Sequence, residues 1–152
     1  MSAPANIRVQ REPFDAGAEA VALSAGRTDV GALVTFTGLC RDEGGRLARL
    51  ELEYYPGMAE AEMRRVADEA LQRWPLLGLS IVHRYGAIRA GEPIVLVVTG
   101  SAHRAAAFEA AEFLMDYLKS NAPFWKKELL AGGDAGGWVE AKREDERALA
   151  RW

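Results

Sequence analysis

The run Ile94-Val95-Leu96-Val97-Val98 is apolar without a break, and it constrains the fold more than any other segment. A strand shows alternate side chains to opposite faces, so a strand apolar at every position has to be covered on both. The run falls far short of the roughly 20 residues a membrane-spanning helix needs. Read from Pro93 to Thr99, it is the buried strand of a sheet with layers packed on both sides.

The rest of the chain supplies those layers. Ile7 to Gln10 alternates as a half-buried strand does. Asp15 is placed to cap a short alanine-rich helix ending at Ser24, with Gly26 as its stop signal. Val30 to Gly38 is β-rich, with Ala32, Val34 and Phe36 on one face. After a polar turn from Arg41 to Arg46, Leu50, Leu52 and Tyr54 alternate with Arg49, Glu51 and Glu53. The spacing predicts that these two runs pair as a hairpin.

Pro56-Gly57 ends that strand. Met63, Val66, Ala67, Ala70, Leu71 and Trp74 then recur at helical spacing until Pro75. Leu79 to Tyr85 is another alternating strand, and Gly86 and Gly91 frame a turn. A helix over 103–119 follows, with Phe108, Ala111, Met115 and Leu118 as its core stripe. Glu109, Glu112, Asp116 and Lys119 form the opposite stripe. Beyond Pro123, Phe124 to Leu129 and Trp138 to Ala141 read as strands around the glycine-rich segment Gly132 to Gly137, and 143–152 as a terminal helix. Strands joined by short turns predict an α+β domain with mixed, largely antiparallel sheets rather than a doubly wound one.

Length and charge bound the function. The 152 residues correspond to one domain, large enough to bury about two-thirds of its unfolded surface without a disulfide or metal staple. Nineteen Lys and Arg against 22 Asp and Glu leave a net charge of −3. General nucleic-acid and membrane-surface binders carry a basic excess instead. One cysteine and two histidines leave no CxxC motif and too few ligands for a structural zinc site, so no metal or cofactor is expected. The N-terminal residues lack a signal-peptide pattern, which predicts a cytoplasmic protein. No phosphate loop or GxGxxG is present. Gly100-Ser101-Ala102-His103 lacks the second glycine of a nucleophile elbow.

What remains is a set of cations near element ends. Arg41 follows a strand, and His103 and Arg104 open a helix, where free backbone N–H groups attract anions. Lys119 closes that helix, and Lys126 and Lys127 lie just past Pro123. Each also has an ordinary reading. Lys119 pairs with Asp116 on an exposed helix face or complements the helix dipole. Lys126 and Lys127 serve equally as the wetted edge of a strand. Only one of two adjacent strand residues faces a given pocket. Cys40, at a strand end, reads as a small buried hydrophobe rather than a nucleophile.

Ordered motifs add a resemblance. Val34-Thr35-Phe36-Thr37-Gly38 with Arg41, Leu52 to Met58, and His83-Arg84-Tyr85-Gly86 come first. Ser101 to Arg104, Ala107 to Ala110, and Met115 to Lys119 follow. Pro123 to Glu128, Trp138 to Ala141 and the terminal Arg151-Trp152 complete the set. Along nearly its whole length the chain resembles the large, catalytic subunit family of molybdopterin synthase.

The resemblance implies an α/β-hammerhead type of fold. It also implies a homodimer within a heterotetramer, each copy holding a small ubiquitin-like sulfur-carrier subunit. The implied reaction is sulfurtransferase chemistry of molybdenum cofactor biosynthesis. Cyclic pyranopterin monophosphate receives two sulfurs from the thiocarboxylated C-terminal glycine of the small subunit and becomes molybdopterin. The implied catalytic residues are Lys119 and Lys126. The implied substrate-binding set is Leu39, Cys40, Arg41, His103, Arg104, Lys119, Lys126, Lys127 and Glu128. Lys142 stands where relatives often carry Arg, exchanging a bidentate anion contact for a point charge. His103 and Lys119 are 16 residues apart, roughly 24 Å along one helix. One helix therefore does not bring both to one small substrate: either only one end belongs to the pocket, or, as is expected here, His103 and Arg104 reach the Lys119 of another subunit.

Overall fold

The computed structural model describes residues 3–42, 47–121, 124–130, 135–139 and 143–152. Lys142 and the first half of the glycine-rich segment, 132–134, lie outside them, while 135–137 belong to a strand. In chain order the elements are β1 (Ala5–Gln10), α1 (Ala16–Ser24), β2 (Ala32–Leu39), β3 (Leu47–Tyr54), α2 (Met58–Arg73) and β4 (Leu76–Arg84). There follow β5 (Gly86–Arg89), β6 (Pro93–Ser101), α3 (Arg104–Asn121), β7 (Phe124–Leu130), β8 (Ala135–Val139) and α4 (Arg143–Ala150). The fold is α+β. One sheet has the order β1-β4-β6-β2 and the other β5-β3-β7-β8. Of the strand pairs, β1–β4 is parallel and the rest are antiparallel.

The apolar run forms β6, hydrogen-bonded to β4 on one side and β2 on the other. Both of its faces are covered. Leu96 and Val98 pack with Val82 under Phe14, Ala16, Ala20 and Leu23 of α1 and the segment before it. Val95 and Val97 face the main core, which gathers Met63 and Val66 of α2, Leu114 and Leu118 of α3, and Leu50 and Leu52 of the second sheet. α1 starts where the sequence places its cap. Asp15 Oδ1 accepts from the Ala18 N–H at 3.0 Å. At α2, Gly57 sits at φ 86°, and its N–H donates to Glu60 Oε1 at 3.1 Å.

Three sequence expectations need correction. The runs Val30–Gly38 and Leu50–Tyr54 do not pair with each other. β2 lies beside β6 in the first sheet, while β3 lies between β5 and β7 in the second. Alternation fixes which face of a strand is buried but not which strand becomes its neighbour. Second, Gly86 and Gly91 do not simply frame a turn, because Gly86–Arg89 is the strand β5. The chain leaves β4 at Gly86, lends these residues to the second sheet, and returns to β6 through Gly91. Both glycines hold the left-handed conformation, at φ 87° and 89°.

Third, Phe108 is 60% exposed rather than part of the core stripe of α3. Ala111, Met115 and Leu118 face inward as expected, joined by the small residues Ala107 and Ala110. The alanines let the helix lie close enough for the Thr99 hydroxyl of β6 to donate to the Ala107 carbonyl at 2.7 Å.

Candidate active site

An open cavity lies where the two sheets meet the last turns of α3. Its polar side chains are His83 from β4, Lys119 from α3 and Lys126 from β7. The remaining lining is Gly38, Leu39, Ile94, Val95, Met115, Leu118 and Phe124.

The register of β7 explains how Lys126 reaches the cavity. Directly opposed residues of an antiparallel pair share a face. Phe124 opposes Tyr54, Lys126 opposes Leu52 and Glu128 opposes Leu50. Leu50 and Leu52 are buried in the core, so Lys126 and Glu128 are charged groups on the inward side of a sheet. Lys127 opposes Glu51 on the other side, where an opposite-charge pair has an ordinary structural use. β7 lies between β3 and β8. The edge-guarding reading of its lysines therefore does not apply.

Lys119 also departs from its ordinary reading. The Asp116 carboxylate is half-buried and accepts from Arg151 Nη2 at 3.0 Å and from the Trp152 indole. Its partners come from the C-terminal tail. Among the described residues Lys119 makes no ion pair, and its side chain lines the cavity instead.

His83 continues the face of β4 that carries Leu79 and Ile81, and it is only 5% exposed. Its ring stacks on Phe124 with centroids 3.7 Å apart and planes 13° apart. Nδ1 lies 2.8 Å from the Arg84 carbonyl oxygen. Burial pushes the imidazole pKa down to about 3. The hydrogen bond to the Arg84 carbonyl opposes that shift, and the charges of Lys126 and Lys119 add to it. The ring is therefore neutral at physiological pH.

The structure thus brings together Lys119, Lys126 and Leu39 from the expected site residues. Cys40 is buried against the core, 2% exposed, with its Sγ 3.9 Å from the Ile88 carbonyl oxygen, and burial raises its thiol pKa. Arg41 is exposed just beyond β2. His103 and Arg104 are exposed at the far end of α3 from Lys119. Lys127 and Glu128 are half-buried on opposite faces of β7 and outside the cavity lining. Sequence reasoning assigned no site role to His83, Phe124 or Met115. The available signal was a histidine at the end of the Leu79–Ile81 face, where alternation calls for another aliphatic residue. No group of three or more His, Cys, Asp or Glu side chains is placed to hold a metal among the described residues. None of the described helices is long and apolar enough to cross a membrane.

Known proteins give a consistent comparison. The family model of the MoaE protein matches residues 9–121. The molybdopterin synthase catalytic subunit of Mesorhizobium japonicum is 66% identical over 146 residues, spanning 96% of this chain and 92% of that relative. A solved molybdopterin biosynthesis MoaE protein from Burkholderia ambifaria superposes with a TM-score of 0.83 at 47% identity, covering 97% of each chain. The crystal structure of molybdopterin synthase from Staphylococcus aureus gives 0.77 at 32% identity, over 86% of this chain and 94% of that one.

Proposed function

This chain belongs to the MoaE protein family, and on that premise we propose that its cavity is where a sulfur-bearing peptide tail meets a phosphorylated pterin. The family places it as a catalytic subunit of molybdopterin synthase, in molybdenum cofactor biosynthesis. In the finer reading, the thiocarboxylated C-terminal glycine of a small ubiquitin-like subunit enters the cavity. Cyclic pyranopterin monophosphate receives its sulfur there, twice, to become the dithiolene molybdopterin.

The observation that carries this reading is the meeting of Lys119 and Lys126, from separate elements, in one cavity. Donor and substrate are both anions. At 4 Å and an effective dielectric near 20 their repulsion is about 4 kcal/mol. Two ammonium groups offset that cost and stabilise charge moving onto the phosphate oxygen as the ring opens. Lysine, unlike the always-charged arginine, is also able to give up and take back a proton. Lys119 is accordingly the central catalytic group, holding the thiocarboxylate and passing protons, with Lys126 assisting.

Arg41, His103 and Arg104 bind phosphate and pterin. His103 and Arg104 are supplied by a second copy of the chain, since roughly 24 Å of α3 separates them from Lys119. Leu39, Cys40, Lys127 and Glu128 flank the bound substrate. The assembly is a homodimer carrying two small subunits, working in the cytoplasm.

The test is reconstitution with thiocarboxylated small subunit and cyclic pyranopterin monophosphate, reading dithiolene product. The Lys119→Ala chain is expected to lose sulfur transfer by at least about a hundredfold while keeping its circular dichroism and small-subunit binding. Near-normal turnover overturns the assignment.

A further inference from the structure

We propose that His83 is a positioning residue for Lys126, its Nε2 accepting a hydrogen bond from the Lys126 ammonium and fixing that group on the cavity wall. The inference rests on the reading that Lys126 works in this cavity, and it adds a residue which that reading leaves without a role.

The tautomer follows from chemistry. A carbonyl oxygen only accepts, so the 2.8 Å contact to the Arg84 carbonyl requires the proton on Nδ1. A neutral imidazole protonated on Nδ1 carries its lone pair on Nε2, at the opposite edge of the ring. Stacking on Phe124 holds the ring in plane. Phe124 and Lys126 are two apart on β7 and share its inward face. The same strand therefore braces the ring and delivers the ammonium.

Among the described residues lining the cavity, His83 alone offers a side-chain nitrogen or oxygen that accepts. Its polar companions there, Lys119 and Lys126, only donate. Lys126 and Lys119 are also the charged groups that act on the ring, Lys126 the more strongly. On either side His83 is flanked by Val9 of β1 and Val95 of β6. Arg84 is engaged elsewhere, donating to the carbonyls of Arg11 at 3.1 Å and Pro93 at 2.9 Å.

A hydrogen bond to the charged form holds the proton on Lys126 against the nearby charge of Lys119. Without the acceptor, Lys126 loses its proton at lower pH. The experiment titrates Lys126 in the full-length protein by NMR of lysine labelled at Cε, alongside the pH profile of sulfur transfer. In His83→Phe, which keeps a ring on Phe124 but has no acceptor, the midpoint falls by about one pH unit, a tenfold change in the ammonium-to-amine ratio. The alkaline limb of kcat moves down with it. His83→Gln restores an acceptor and most of the shift.

An unchanged midpoint in His83→Phe, or a Gln variant that behaves like Phe, overturns the proposal. Should His83→Phe fail to fold, the nitrogen-15 spectrum of the unmutated imidazole decides. Protonated Nδ1 with bare Nε2 supports the role, and protonated Nε2 overturns it. The titration needs no turnover. A protein that shows the Lys126 shift but makes no dithiolene defeats the functional reading alone, and normal turnover with no shift defeats this inference alone.

Discussion

A single imidazole sets part of the acid sensitivity of this protein. The unfolded chain protonates His83 near 6.5, and the buried ring does so only near 3. Between those values the unfolded state binds the extra proton, so stability falls as the pH drops. The slope is about 1.4 kcal/mol per pH unit, and above the upper value His83 contributes none. Asp29 and Glu62, whose carboxyl pKa values are held down by Arg27 and Arg65, act in the same direction at lower pH. They are present in any His83 variant, so the difference isolates the ring. Urea unfolding across the window is expected to show a shallower slope for His83→Gln than for the unmutated chain, and equal slopes would contradict the buried neutral state. Sequence alone reads Cys40 correctly, because a small apolar side chain at a strand end needs no partner to be understood. His83 was not legible in the same way. Its role depends on Phe124, a residue 41 positions later that only the folded chain brings under its ring.

At the scale of elements, helix boundaries and strand faces were readable, and neighbours were not. Asp15, Pro56-Gly57 and Pro75 punctuate the chain through local backbone chemistry, and α1 and α2 begin and end beside them. The separation of β2 from β3 depends on which edge each strand meets, and alternation carries no information about that. Of the expected inward stripe of α3 only Phe108 was misplaced, because alanine, weak as a hydrophobic signal, takes the face that approaches β6. A second close approach lies at the start of β2. A Cβ added to Gly31 would sit 2.2 Å from the Ala102 carbonyl oxygen, and the Gly31 N–H donates to the Ser101 carbonyl at 3.0 Å. Gly31→Ala is expected to cost about 1–3 kcal/mol, since backbone rather than a flexible side chain must yield. In α1, a Cβ on Gly17 meets only Asp15 Oδ1 at 3.5 Å. Gly17→Ala is expected to stabilise by up to about 1 kcal/mol. Paired chemical-denaturation curves give the two signs, and a neutral Gly31→Ala would refute the close approach.

For the whole molecule, the decisive property is the distance between its cationic groups. Lys119 and Lys126 converge within one chain, whereas His103 and Arg104 stand at the other end of α3. An acidic polypeptide thus holds these cations at two separate places, which was visible in the sequence only as spacing along a helix. If the site is completed by a second copy, chains carrying His103→Ala and chains carrying Lys119→Ala are expected to complement. Mixed before assay, they recover part of the activity that each lacks alone, through dimers holding one intact site. A mixture no more active than its components would count against the shared site.

The excursion of β5 has a further consequence. Because the backbone passes from β4 into the second sheet and back to β6, a covalent stitch joins the two sheets, and the cavity is lined from both of them. Leu50 and Leu52 of one layer pack in the same core as Val95 and Val97 of the other, so loosening either layer loosens the walls that hold the lysines.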